Sequence, residues 1–197
     1  METDIARSKK YAFVVLKPDA LEQFLDINIL YGIENDKIEG VKIVKEKMIK
    51  MNAEQVGIIY QEKNKENYYH LLEKFLTENP SVCLIVEAGE NAIEKIQKFK
   101  DRTRSDFKSY KFEISEHDLE LLKQGKHPQQ KEITNEMALR NLIHVADTDE
   151  EVLRNIETIF TPNEIDEINR INPELYGLIR EHREREKIFR EIVPYKK

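Results

Sequence analysis

Two runs of the chain are continuously apolar after a first polar residue. KYAFVVL, residues 10 to 16, is β-branched and aromatic-rich, and SVCLIV, residues 81 to 86, resembles it. Each predicts a strand buried on both sides. Pro18 ends the first run, and Asp19 is placed to cap a following helix with Glu22 reaching back three residues later. That helix would carry Leu21, Phe24, Leu25, Ile29 and Ile33 on one broad face. After Gly40, Val41 to Met51 alternates apolar and charged positions, as a half-exposed strand does. Helices are predicted over Ala53 to Lys63 and Glu66 to Thr77, stopped by Asn79-Pro80. Gly89 turns the chain into another helix from Asn91 to Phe99. Leu142 to Val145 forms a last short strand. Asp149 to Phe160 follows as a helix, with Val152, Ile156 and Phe160 at i, i+4 and i+8.

Stripped of insertions, the order is βαββαβ with an extra helix pair and a trailing helix. This is an α+β class: a ferredoxin-like antiparallel sheet with helices on one face. Right-handed crossovers bring the first and third strands together in mid-sheet. Periodicity alone leaves several short runs open, so this order draws also on the resemblance named below. Two regions exceed the minimal unit. An insertion at about 108–140 is polar, with one helix from His117 to Gln124 closed by Gly125. From Asn163 the chain is charged helix broken at Pro173. The expected division is a domain over 1–165 and a C-terminal helical extension over 166–197.

With 197 residues the chain can bury a proper core. The formal charge is −6, yet 32 basic residues are spread along the whole chain. A basic face able to displace phosphate counterions is not indicated, so no specific nucleic-acid partner is expected, though a small basic pocket is allowed. Cys83 lies inside an apolar run and reads as a packed thiol. METDIARSKKY holds no apolar leader, and no segment approaches the ~18 apolar residues of a membrane span. A cytoplasmic protein without membrane attachment is the expectation. His70, His117, His127 and His182 show no metal-ligand spacing and read as surface residues, so no metal ligands are assigned.

The chemistry gathers in two places: Lys17-Pro18-Asp19 and the heptapeptide NLIHVAD, Asn141 to Asp147. Phosphoryl transfer needs positive charge around the phosphate oxygens and a nucleophile held in line. His144 at a strand end is a suitable covalent carrier, neutral at physiological pH and orientable through its second nitrogen. Lys17 can reach nucleotide oxygens, and Arg104 in TRSDF offers a bidentate fork for phosphate. Tyr60 supplies a hydroxyl, Asn141 an amide for a sugar hydroxyl, and Tyr68 or Tyr69 a flat face for a base. Taken singly, His144 reads as a satisfied core histidine, Lys17 as a strand-end charge, and one of the paired tyrosines as core.

The ordered set changes that reading. YAFVVLKPDA (11–20), GVKIVKEKMIKM (40–51), Tyr60 with Tyr68-Tyr69, NPSVCLIVEAGENAIEKI (79–96), TRSDF (103–107) and RNLIHVADTDEEVLRNIETIF (140–160) resemble the nucleoside diphosphate kinase family. The resemblance implies transfer of the terminal phosphate of a nucleoside triphosphate to a diphosphate, by a ping-pong route through phosphohistidine. It implies Mg²⁺ carried with the nucleotide and a homo-oligomer of at least a dimer. By motif position His144 matches the phosphorylated histidine. Lys17, Arg104 and Tyr60 match residues around the phosphates, Asn141 and Lys17 the ribose 3′-hydroxyl contacts, and Tyr68 the base-stacking aromatic.

The chain also departs from the family pattern. HGSD is replaced by HVAD, with Val145 for a glycine and Ala146 for a serine. The glutamate that orients the histidine is Asn155. Gln97 stands for a phosphate-binding arginine, and Phe24 for a glycine after the KPD motif. The long PGT loop is reduced to Lys100-Asp101-Arg102, and Thr103 is the nearest candidate for a phosphate-binding threonine. Each lost charged contact costs roughly 1.5–3 kcal/mol where its partner is desolvated, and three together reduce a rate by several orders of magnitude. The rival reading is therefore a weak or inactive kinase-like module that binds nucleotide or a protein.

Overall fold

The computed structural model describes residues 9–35, 40–107 and 115–192, with side chains to residue 189. Strand β1 is Tyr11–Leu16, and every one of its residues is buried. It pairs antiparallel with β3 (Ser81–Glu87) on one side and with β4 (Ile143–Val145) on the other. β2 (Lys42–Ile49) lies outside β3, giving the order β2-β3-β1-β4 with the first and third strands in the middle. The α+β, ferredoxin-like sheet order is as expected. Between Ile43 and Lys45 the β2–β3 register shifts, a bulge that turns Val44 into the core at 6% exposure.

The helices do not keep to one face. Side chains alternate along β1, so Ala12, Val14 and Leu16 join one apolar cluster while Tyr11, Phe13 and Val15 join another. The first cluster is closed by α2 (Asp26–Asn35) and α5 (Ala92–Asp106), through Ile29, Ile33, Ile96 and Phe99. The second is closed by α3 (Ala53–Ile59), α4 (Tyr69–Glu78), α8 (Asp149–Ile159), α9 (Pro162–Ile171) and α10 (Pro173–Ile192). A strand apolar on both sides demands cover on both, and the C-terminal segments supply part of it.

The helix after Pro18 also differs from the expectation. α1 spans only Pro18–Glu22, with Lys17 as N-cap. Asp19 lies inside the helix and is not its N-cap; it is fully buried, and its Oδ2 accepts the Leu142 N–H at 2.9 Å. The Phe24 N–H then donates to the Leu21 carbonyl at 3.0 Å and the Leu25 N–H to that of Ala20 at 2.8 Å. That pair of bonds is a Schellman closure, and Phe24 fills its left-handed position at φ 56. Phe24 is consequently 83% exposed instead of facing the core. The predicted helix Ala53 to Lys63 splits into α3 and a 3₁₀ turn, Gln61–Lys63. Residues 108–114 of the insertion fall outside the described residues. The remainder holds α6 (Glu116–Lys123), as expected, and an unexpected second helix, α7 (Gln130–Leu139).

Candidate active site

The carboxyl end of β1 is stitched to the segment before β4. The Lys17 N–H donates to the Leu142 carbonyl at 2.8 Å, while Asp19 takes the Leu142 N–H. Leu142 is held between them at φ 65, a left-handed conformation that costs a leucine energy and that flanking contacts must enforce. The consequence is a fixed path for Asn141 to His144. Lys17 itself is 2% exposed; its ammonium donates to the Leu139 carbonyl at the end of α7 (2.9 Å) and lies 5.6 Å from the Tyr60 ring centre.

Arg104, in the last turn of α5, reaches the same segment from the other side. Its Nε donates to the Asn141 carbonyl at 3.1 Å and its Nη2 to that of Ile143. The Asn141 side chain donates to the Ala138 carbonyl at 2.9 Å. His144 is the middle residue of β4, opposite Val15. Tyr60, the C-cap of α3, sets its ring 4.5 Å from the imidazole centre at a 38° tilt. Lys17, Tyr60, Arg104, Asn141 and His144, drawn from four parts of the chain, therefore converge. Tyr68 is the N-cap of α4, half-buried against the second apolar cluster, as is Tyr69.

Burial, then the charges of Lys17, Arg104, Lys100 and Lys63 in that order, push the His144 imidazole down to about 3. The ring is a neutral base at physiological pH, in a basic focus within a chain of net charge −6. Of its nitrogens, Nε2 is buried without a hydrogen-bond partner among the described residues. The Tyr60 hydroxyl is likewise enclosed, and burial raises it well above the ordinary phenol range, so it stays protonated. Arg104 remains cationic although burial pulls its guanidinium down. Lys63 and Lys100 were not among the expected site residues. Their positions on a 3₁₀ turn and a half-buried helix face carry no motif; only the fold brings their charge to the histidine.

The altered positions are also placed. Asn155 is fully buried in α8, and neither amide atom meets a partner among the described residues. Gln97 donates to Asp147 Oδ1 at 2.7 Å. Asp147 does not cap α8: Thr148 is its N-cap, accepting from the Glu151 N–H at 3.2 Å. Thr103 is buried within α5. Two of the other histidines are not surface residues: His182 is 6% exposed and meets Glu157 at 2.9 Å, and His127 is half-buried. Cys83 is fully buried, its thiol pushed up to about 12 by that burial.

Comparison with known proteins gives the family and the fold. The profile of the family described as nucleoside diphosphate kinase matches residues 10–165. The nucleoside diphosphate kinase of Methanocaldococcus jannaschii is 31% identical over 163 residues, covering 80% of this chain and 97% of that protein. That of Metallosphaera sedula is 29% identical over 155 residues, covering 79% and 96%. Among solved structures, the Aquifex aeolicus nucleoside diphosphate kinase superposes with a TM-score of 0.54 at 24% identity, over 79% of this chain and 97% of that one. The Borrelia burgdorferi enzyme, a transition-state mimic with bound vanadate and ADP, gives 0.55 at 21% identity over 78% and 88%. The chain belongs to the nucleoside diphosphate kinase family, enzymes that move phosphoryl groups between nucleotides.

Proposed function

We propose that this chain transfers the γ-phosphate of a nucleoside triphosphate to a nucleoside diphosphate in two steps through His144. With Nε2 enclosed, Nδ1 is the attacking nitrogen. Its lone pair forms a bond to the γ-phosphorus as the bond to the bridging oxygen breaks, and the diphosphate leaves with that electron pair. A terminal oxygen of a second diphosphate then attacks the phosphorus, and the P–N bond returns its pair to the ring. Mg²⁺ would be carried on the nucleotide phosphates, where it would offset their charge. Lys17 and Arg104 supply charge to the phosphate oxygens, Tyr60 packs the imidazole in place, Asn141 and Lys17 meet the ribose 3′-hydroxyl, and Tyr68 stacks on the base.

The observation that carries this reading is a half-buried, neutral imidazole packed 4.5 Å from the Tyr60 ring, with the charges of Lys17, Arg104, Lys100 and Lys63 acting on it. A core histidine without a role has no use for such surroundings, whereas a nucleophile that must approach a triphosphate does. Incubation with γ-labelled ATP and Mg²⁺ is expected to give an acid-labile, alkali-stable label that a nucleoside diphosphate removes. His144→Ala should lose it, and a label persisting in that variant would refute the assignment. The protein is expected to work in the cytoplasm as at least a dimer, which light scattering after gel filtration would check.

A second reading, a weak or inactive binding module, is favoured by the engagement of Lys17 and Arg104 with backbone carbonyls and by the uncharged Asn155. Asn155→Glu separates the two. A large gain in turnover means an intact site lacking one orienting charge; no gain, with nucleotide still bound, favours the module.

A further inference from the structure

Away from the histidine of β4, a cavity of about 550 Å³ opens between α3, α8 and α10. Glu150, His182 and Glu186 line it, each offering a ligand atom within 4.8 Å of the others. His182 and Glu186 are one turn apart on α10 and so share a face. Glu150 comes from the first turn of α8. His182 is 6% exposed, which fixes its ring in the wall of the cavity. Glu157 meets its Nδ1 at 2.9 Å, leaving Nε2 as the nitrogen available to a ligand. A carboxylate behind a histidine is the arrangement that sets tautomer and ring orientation in metal sites.

We propose that Glu150, His182 and Glu186 form a binding site for a first-row divalent cation, Zn²⁺ in particular. One imidazole nitrogen and two carboxylates suit such an ion, and Mg²⁺ or Ca²⁺, which prefer oxygen alone, suit it less. Bond lengths near 2.1 Å put tetrahedral ligands roughly 3.4 Å apart. The side chains must therefore close in from 4.8 Å, a movement within reach of two glutamate rotamers on helix surfaces. Charge also favours a cation. Glu54, Glu150 and Glu186 line the cavity with Glu157, which Arg183 meets at 3.5 Å; the one guanidinium in the lining, Arg154, leans toward Glu151 at 4.0 Å. The bound ion would join α8 to α10 and pin the C-terminal helix to the body of the protein.

The test uses the full-length protein without a histidine tag, stripped with chelator and free of nucleotide. Zn²⁺ titration by calorimetry is expected to show one saturable site per chain. At ~100-fold excess over the dissociation constant the melting temperature should rise by about 5–10 °C. Glu150→Gln with Glu186→Gln, two changes outside the apolar core, should weaken binding at least tenfold and leave labelling of His144 unchanged. Co²⁺ in place of zinc should give visible absorption bands that His182→Gln abolishes. Absence of saturable binding up to millimolar Zn²⁺, or equal binding by the double variant, would overturn the proposal.

Discussion

Enclosing an imidazole among cations disfavours its protonated form, and at His144 that has a thermodynamic consequence. The folded ring holds its proton only near pH 3, the unfolded one near 6.5. Between those values the unfolded chain binds the extra proton, so the stability linked to this group is intact above about pH 6.5 and drains away as pH falls toward 3. Melting temperatures of the wild type and of His144→Gln should therefore keep a constant difference above pH 7. On acidification toward pH 4 that difference should move against the wild type; a gap constant across the range would show an ordinary, solvated histidine. Phe24 makes a separate point about single residues. It occupies a left-handed helix terminus at φ 56 with its ring 83% exposed, where glycine bears no steric cost. Phe24→Gly is expected to stabilise the protein by about 1 kcal/mol in chemical denaturation; a loss of stability would mean that the exposed ring is covered in the assembled protein.

Elements with a strong local signature were legible in the sequence. The unbroken apolar runs of β1 and β3 became fully buried strands, and the i, i+4 apolar series from Val152 became a helix, although Thr148 and not Asp147 caps it. The ordered motifs pointed to Lys17, Tyr60, Arg104, Asn141 and His144, which the fold brings together. What escaped carried no residue signature of its own. The break at Phe24 came from a backbone closure onto Ala20 and Leu21, not from a helix-stopping residue. α7 has no side-chain cap and no fully buried residue, so neither end nor face announces it. Its place is fixed from outside: Arg140 pairs with Glu22 and Glu136 and sits 4.8 Å over the Phe75 ring, while Lys17 takes the Leu139 carbonyl. Arg140 is half-exposed, so these contacts together are worth about 1 kcal/mol. Arg140→Ala should accordingly speed hydrogen exchange over 130–139 while barely shifting the global melting temperature. Unchanged exchange there would mean that Lys17 alone holds the helix.

At the scale of the whole molecule, the division at residue 165 meets the fact that α9 runs through it and that residues beyond it fill the core. Ile168, Leu175 and Ile179 are each fully buried in the cluster that covers Tyr11, Phe13 and Val15 of the central strand. Polar contacts run the same way. Lys45 meets Glu167 at 2.7 Å, Lys10 meets Glu174 at 2.9 Å, and Asn172 accepts from the Tyr11 hydroxyl at 3.0 Å. On the near side of the division, the start of α9 is held where Lys47 meets Glu164 at 2.7 Å; burial works against that carboxylate, yet Lys47 and the Thr161 N–H and hydroxyl bring it down to about 2, so this contact stays charged over the working pH range. The extension therefore supplies part of the second cover of a sheet that is apolar on both sides and is not an appendage. Removing residues 166–197 would strip three fully buried aliphatic side chains, each worth about 2–5 kcal/mol when truncated to alanine, against a total stability of about 5–15 kcal/mol for a typical domain. The truncated chain is expected to be insoluble, or to bind a hydrophobic dye with no cooperative melting transition. A soluble, cooperatively folding 1–165 fragment that still takes label at His144 would restore the extension to the status of a separable module.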